Sequence, residues 1–198
     1  MPCLRDIAFA YSGRSRIGKT IATLFAASVR GIGKIDDLIS WNLTDDRLEQ
    51  RLVEFVDSAF LIDDLSKMRG RDKAAYDRIE NIAYLIEQGH QKGRDSSFAK
   101  IHGAAGKWRV ILLTSHENSL AELSVKLGRN RREGASVRLI DMPAALDGLD
   151  HIFDRTTFPT GAPTEQWKQK QFADIARACA QRHGAVFDQY IRGLKPGQ

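Results

Sequence analysis

Gly13-Arg14-Ser15-Arg16-Ile17-Gly18-Lys19-Thr20 has the form G-x-x-x-x-G-K-T. Glycines at its two fixed positions let the backbone curl until its N–H groups surround a phosphate. A helix opening at the end of the motif turns its positive dipole end toward the same anion. The lysine reaches β- and γ-phosphates, and the hydroxyl after it holds Mg2+. The pattern is short enough to recur by chance, so its flanks decide. Asp6 to Tyr11 is a short apolar run, and Ile21 to Val29 repeats Ala, Leu and Phe at helical spacing. Strand, glycine loop and helix together make this a P-loop. Gly13, Ser15, Gly18, Lys19 and Thr20 are therefore the candidate residues for ATP, with Thr20 also on Mg2+.

Downstream, Gly31 and Gly33 interrupt the helical pattern, and Leu38 to Leu43 reads as a second strand. Thr44 is placed to cap a helix whose first turn carries Asp45 and Asp46 and whose apolar face is Leu48, Leu52, Phe55 and Val56. Ala59 to Ile62 is a continuous apolar run ending in Asp63 and Asp64, the pattern of a buried parallel strand with an acidic tip. A carboxylate there lies beside the P-loop: Asp63 is the candidate Mg2+ ligand, and Asp64 the candidate for orienting the attacking water. A helix is expected over Asp72 to Gln88, ending at Gly89. A polar segment, His90 to Lys107, follows and reads as a loop or twisted hairpin.

Val110 to Leu113 is the fourth apolar run, with Thr114 and Ser115 at its tip as candidate sensors of the γ-phosphate, and Glu117 expected to cap the next helix, Ser119 to Leu127. Gly128 to Gly134 encloses Arg129, Arg131 and Arg132. Ala135 to Met142 reads as a fifth strand carrying Arg138, stopped by Pro143. A charge inside an apolar strand needs a partner, which makes Arg138 a candidate finger for a neighbouring subunit's ATP. Residues 144 to 163 read as irregular connection. Two helices close the chain, Thr164 to His183 and Val186 to Ile191, the first with Phe172, Ile175, Ala176, Cys179 and Ala180 on one face.

The 198 residues, 42% hydrophobic and 28% charged, suffice for one sizeable core. The expected division is a P-loop core over 1–143, with 144–198 a connection and C-terminal helical extension of the same domain. No apolar stretch approaches the length of a membrane helix and no signal peptide opens the chain, so a cytoplasmic protein is expected. Cys3 and Cys179 share no metal or disulfide spacing, nor do the five histidines. The net charge of +5 permits contact with a polyanion.

Alternating strands and helices predict an α/β fold of three layers, a mainly parallel five-stranded sheet with helices on both faces and a C-terminal helical segment. With a strand and helix between the P-loop unit and Asp63, and a polar-tipped strand after it, the chain resembles the additional-strand NTPases, the AAA+ and RecA-like group. That resemblance puts the Thr114 strand between the P-loop strand and the Asp63 strand. More narrowly, Ser12, Gly18-Lys19-Thr20, Ala26 to Gly31, Ser40 to Thr44, Leu61 to Asp64, Gly93-Arg94, Ser115 to Glu117 and Gly134 to Pro143 are similar to a domain-of-unknown-function family described as "superfamily II helicase and inactivated derivatives", common on phages and mobile elements.

The resemblance implies an ATP-dependent, helicase-like motor that works on nucleic acid as an oligomeric ring. It makes His90 to Lys107 the hairpin that touches single-stranded nucleic acid through Lys92, Arg94, Lys100 and Lys107. That family carries Glu where this chain has Asp64, and Gly where it has His116. The family's large upstream region has no counterpart in this sequence, so an adenine-binding segment is expected to be absent or supplied elsewhere. A hydrolysis-deficient regulatory subunit and a small-molecule kinase with Gly128 to Gly134 as its lid are the alternatives.

Overall fold

A computed structural model describes residues 6–65, 72–90, 106–146, 149–153 and 164–193. Five strands, β1 (Ile7–Ser12), β2 (Ile39–Ser40), β3 (Ser58–Asp63), β4 (Val110–His116) and β5 (Leu139–Pro143), form one sheet in the order β2-β3-β4-β1-β5. Every pairing is parallel. The Thr114 strand thus lies between the P-loop strand and the Asp63 strand, where it was expected. The helices are α1 (Lys19–Ser28), α2 (Asp45–Glu54), α3 (Asp72–Gln88), α4 (Leu120–Lys126), α5 (Glu133–Ser136), α6 (Glu165–Arg182) and α7 (Ala185–Gly193).

Strand parity assigns the layers, because successive side chains leave opposite faces of a sheet. Ala8, Ala10, Phe60, Ile62, Val110 and Leu112 share one core cluster with Leu48 and Leu52 of α2 and Ile79, Ile82, Ala83 and Ile86 of α3. Each large side chain buried there contributes about 1.5–3 kcal/mol relative to exposure. The residues of opposite parity meet α1, whose Thr23, Leu24 and Ala27 are fully buried and whose Thr23 hydroxyl bonds the Tyr11 hydroxyl. Outside α1 lies α6. The turn after α6 is fastened to the end of α1 by Gly184 N–H donating to Ser28 O at 2.7 Å, in a backbone of φ 78 that suits glycine.

Local signals placed most boundaries. The Thr44 and Thr164 hydroxyls accept from the N–H groups of Arg47 and Trp167 and start α2 and α6, and α3 stops at Gly89 with φ 67. Three expectations need correction. The second strand is only Ile39–Ser40, because Trp41 turns inward to the core, where its indole N–H donates to Thr114 Oγ1 at 2.7 Å. Residues 133–136 are a helical turn, not the start of a strand: a Cβ at Gly134 would lie 2.8 Å from the Tyr84 hydroxyl, so that turn packs tightly on α3. Arg138 consequently precedes β5 instead of projecting from it. Glu117 does not cap α4, which begins with a capping box of Ser119 and Glu122, reinforced by Asp141 Oδ2 accepting from Leu120 N–H at 2.7 Å.

Candidate functional site

The P-loop leaves the end of β1, with Gly13 N–H donating to His116 O at the tip of β4. Within it Arg16 (φ 66) and Gly18 (φ 106) take left-handed conformations, which bend the chain into a concave turn. Gly18 then caps α1 without a side-chain acceptor, so the first N–H groups of α1 are left to an anion. Lys19 Nζ donates to Gly13 O at 2.6 Å and Arg14 O at 2.8 Å, which folds the ammonium over its own loop. Partial burial pushes the Lys19 pKa down, while Glu117, Asp64 and Asp63 pull it back up. The lysine lines a cavity of about 580 Å3 together with Ser15, Gly18, Thr20, Asp64, Ser115 and Glu117.

The acidic tip of β3 is tied to both neighbours. Thr20 Oγ1 donates to Asp63 Oδ2 at 3.3 Å, and Ser115 Oγ donates to Asp63 Oδ1 at 3.0 Å while accepting from Asp64 N–H at 3.0 Å. Asp63 is buried, and Asp64 sits in the left-handed region at φ 54. Asp tolerates that region better than most residues, since its short side chain bonds locally. The pairing of Thr20 hydroxyl and Asp63 carboxylate is the donor set a Mg2+–phosphate unit requires. Among the described residues no three His, Cys, Asp or Glu side chains converge on one point, so an ion here would draw its remaining ligands from phosphate and water.

Thr114 is not brought to the cavity. It shares parity with Ile62 and faces the α2 and α3 layer, where its hydroxyl accepts from Trp41, whereas Ser115 shares parity with Asp63 and faces α1. Arg138 lies at the start of β5, the sheet edge opposite the P-loop. There it pairs with Glu87, donates to Gly134 O at 2.6 Å and sits over the Tyr84 ring at 5.0 Å. The three arginines of the supposed lid are also engaged by the body of the domain: Arg129 by Asp77, Arg131 by Leu139 O and Arg132 by Glu80.

Lys92, Arg94 and Lys100 lie outside the described residues. The two ends of their segment meet in an antiparallel bridge between His90 and the exposed Lys107, and Trp108 N–H donates to Gly89 O at 2.9 Å. That closure lies at the start of β4, again the edge opposite the P-loop. Besides Arg16 of the P-loop and Ile21 of α1, three cavity residues were missed from the sequence: Ile35, Gln169 and Phe172. Ile35 is in a short 3-10 turn, and the other two belong to α6, too far along the chain for any local pattern to join them to the P-loop.

The family model described as "Domain of unknown function (DUF927)" matches residues 4–106. No curated protein matches the chain. The solved structure of "SCCmec type IV Cch - active helicase" is similar to it in fold, with a TM-score of 0.61 at 20% identity over 95% of this chain. The chain spans 28% of the length of that protein. Among the described residues no helix is long and apolar enough to cross a membrane.

Proposed function

The chain belongs to the domain-of-unknown-function family DUF927, and from that premise we propose that it is the ATP-binding motor domain of a helicase-like protein acting on nucleic acid. The observation that carries this reading is the meeting of Lys19, Thr20, Asp63, Asp64 and Ser115 at the carboxyl ends of β1, β3 and β4. These strands are adjacent, and ligands of open parallel sheets bind at that edge.

ATP with Mg2+ supplies the energy-yielding phosphoryl bond, and the chain's own residues do the rest. The P-loop amides and Lys19 bind and orient the phosphates, and Thr20 and Asp63 hold the ion. Ser115 fixes the Asp63 carboxylate and the Asp64 backbone, and Asp64 accepts a proton from the attacking water. Glu117 stands on the same cavity wall as a second carboxylate. It compensates for the shorter reach of Asp64 where the resembling family has Glu.

The nucleic-acid side of the reading rests on the helicase fold neighbour and on the basic segment closed by the His90 and Lys107 bridge. In this reading Lys92, Arg94, Lys100 and Lys107 neutralise backbone phosphates, and subunits assemble as a ring. The kinase alternative is disfavoured by the engaged arginines of Gly128 to Gly134 and by β4 lying between β1 and β3. ATP turnover with and without single-stranded DNA tests the proposal. Turnover stimulated by DNA is expected. Tight ATP binding with no turnover in either condition would assign the chain to the regulatory class instead.

A further inference from the structure

The P-loop, Asp64, Ser115 and Glu117 account for phosphates and an ion, and leave the remaining wall of the cavity without a role. That wall combines Ile21 from α1, Ile35 from the 3-10 turn, and Gln169 and Phe172 from α6. Ile35 is 45% exposed, a large aliphatic side chain presented beside a polar phosphate cradle. Phe172 is buried and fitted against the phosphate loop itself: a Cβ on Gly18 would lie 2.5 Å from Phe172 Cε1 and 3.0 Å from Ile152 Cδ1.

The wall is braced from behind. Phe172 stacks on Phe153 with centroids 5.4 Å apart, and Phe153 meets Trp167 edge to face at 5.4 Å. Lys168, buried on the same helix, ties Asp150 at 2.8 Å and Glu165 at 2.7 Å. Ile152 N–H donates to Ile17 O at 3.0 Å, which joins the same loop to the P-loop. Gln169 Nε2 donates to Glu165 Oε1 at 2.9 Å, so its amide is steadied at the cavity rim.

An apolar, aromatic-backed surface next to a phosphate cradle, with one amide at its rim, has the chemistry that a nucleobase requires. A flat ring gains from burial between aliphatic and aromatic faces, and an amide offers the adjacent donor and acceptor that match the 6-amino group and N1 of adenine. We propose that Ile21, Ile35, Gln169 and Phe172 form the base subsite of the nucleotide cavity, so that α6 contributes to adenine recognition. The subsite rests on the reading of the P-loop as a triphosphate cradle, and its test is arranged to separate the two.

Calorimetric affinities for Mg-ATP and for Mg-tripolyphosphate, which has the phosphates and no base, are measured on the whole chain and on I35S, Q169A and the double variant. Ile35 and Gln169 are chosen because both are exposed, and circular dichroism checks each fold. The expected result is ATP bound at least tenfold more tightly than tripolyphosphate by the natural chain, with that preference falling at least threefold in each single variant and about tenfold in the double. Tripolyphosphate affinity stays unchanged in all of them. K19A weakens both ligands alike if the cradle is as described. An ATP preference that survives in the double variant, or no preference in the natural chain, overturns the base subsite alone. Failure of the natural chain to bind either ligand overturns the cradle and the subsite together.

Discussion

Asp64 holds a backbone conformation, φ 54, that asparagine adopts as readily as aspartate. D64N therefore keeps the shape of the loop after β3 and removes only the charge. Its expected effect is a fall in ATP turnover of at least tenfold with ATP affinity preserved, read from phosphate release and calorimetry on the same preparation. D63N behaves differently, because Asp63 receives the Thr20 and Ser115 hydroxyls instead of facing the attacking water. It should weaken binding in the presence of Mg2+ and leave binding in chelator as it was. Equal turnover in both variants and the natural chain would remove these carboxylates from the mechanism.

At the scale of elements, α4 has only seven residues and depends on its start for stability. The Ser119 and Glu122 side chains satisfy each other's backbone N–H groups there, and S119A removes half of that exchange. A loss of about 1 kcal/mol is expected for such a cap, measured by urea unfolding. Glu117 precedes this turn by two residues, so the variant also tests whether a firm α4 start matters to turnover.

The segment closed by the His90 and Lys107 bridge allows a second test. Each lysine that neutralises a DNA phosphate contributes roughly one unit to the salt slope of binding. K100A combined with K107A should lower single-stranded DNA affinity and reduce the slope by about two units in all sequences tested, while DNA-free ATP turnover stays the same. Wild-type affinity and slope in that variant would mean an ordinary surface segment.

For the molecule as a whole, His116 couples pH to stability at the centre of the sheet. Burial pushes its imidazole below the ordinary 6.5, outweighing the upward pull of Asp64, Asp141 and Glu117, with Lys19 adding to the depression. Its Nδ1 accepts from Asn118 N–H at 3.0 Å, so the neutral ring carries its proton on Nε2. As pH falls through 6.5 the unfolded chain takes up a proton that the folded chain refuses. This contribution to stability is therefore complete above 6.5 and is lost as pH descends toward the depressed folded pKa. Unfolding free energies between pH 7.5 and 5 should show that decline, and H116N, whose Oδ1 can replace Nδ1 as acceptor, should flatten it. An unaltered decline in H116N would place the proton uptake elsewhere.

Much of what depends on neighbours in sequence was legible before the fold, although the Ser119 and Glu122 capping box and the helical turn Glu133–Ser136 were not. The Gly13 to Thr20 loop, the helical periodicity of the 17-residue α3 and its stop at Gly89, the Thr44 cap and the acid-tipped run ending at Asp63 each follow from backbone and side-chain chemistry within a few residues. The place of β4 between β1 and β3 came from the resemblance to the additional-strand NTPases, and the sheet order agrees with it.

Only the tertiary structure decided which hydroxyl at the tip of β4 serves the cavity. Thr114 and Ser115 are equivalent in a string of letters, but parity turns one to Trp41 and the other to Asp63. It also gave Arg138 to Glu87, and carried Gln169 and Phe172 to the side of Gly18. Those meetings are set by how helices pack on a sheet, where partners far apart in the chain are chosen by shape and burial, and no local pattern encodes them.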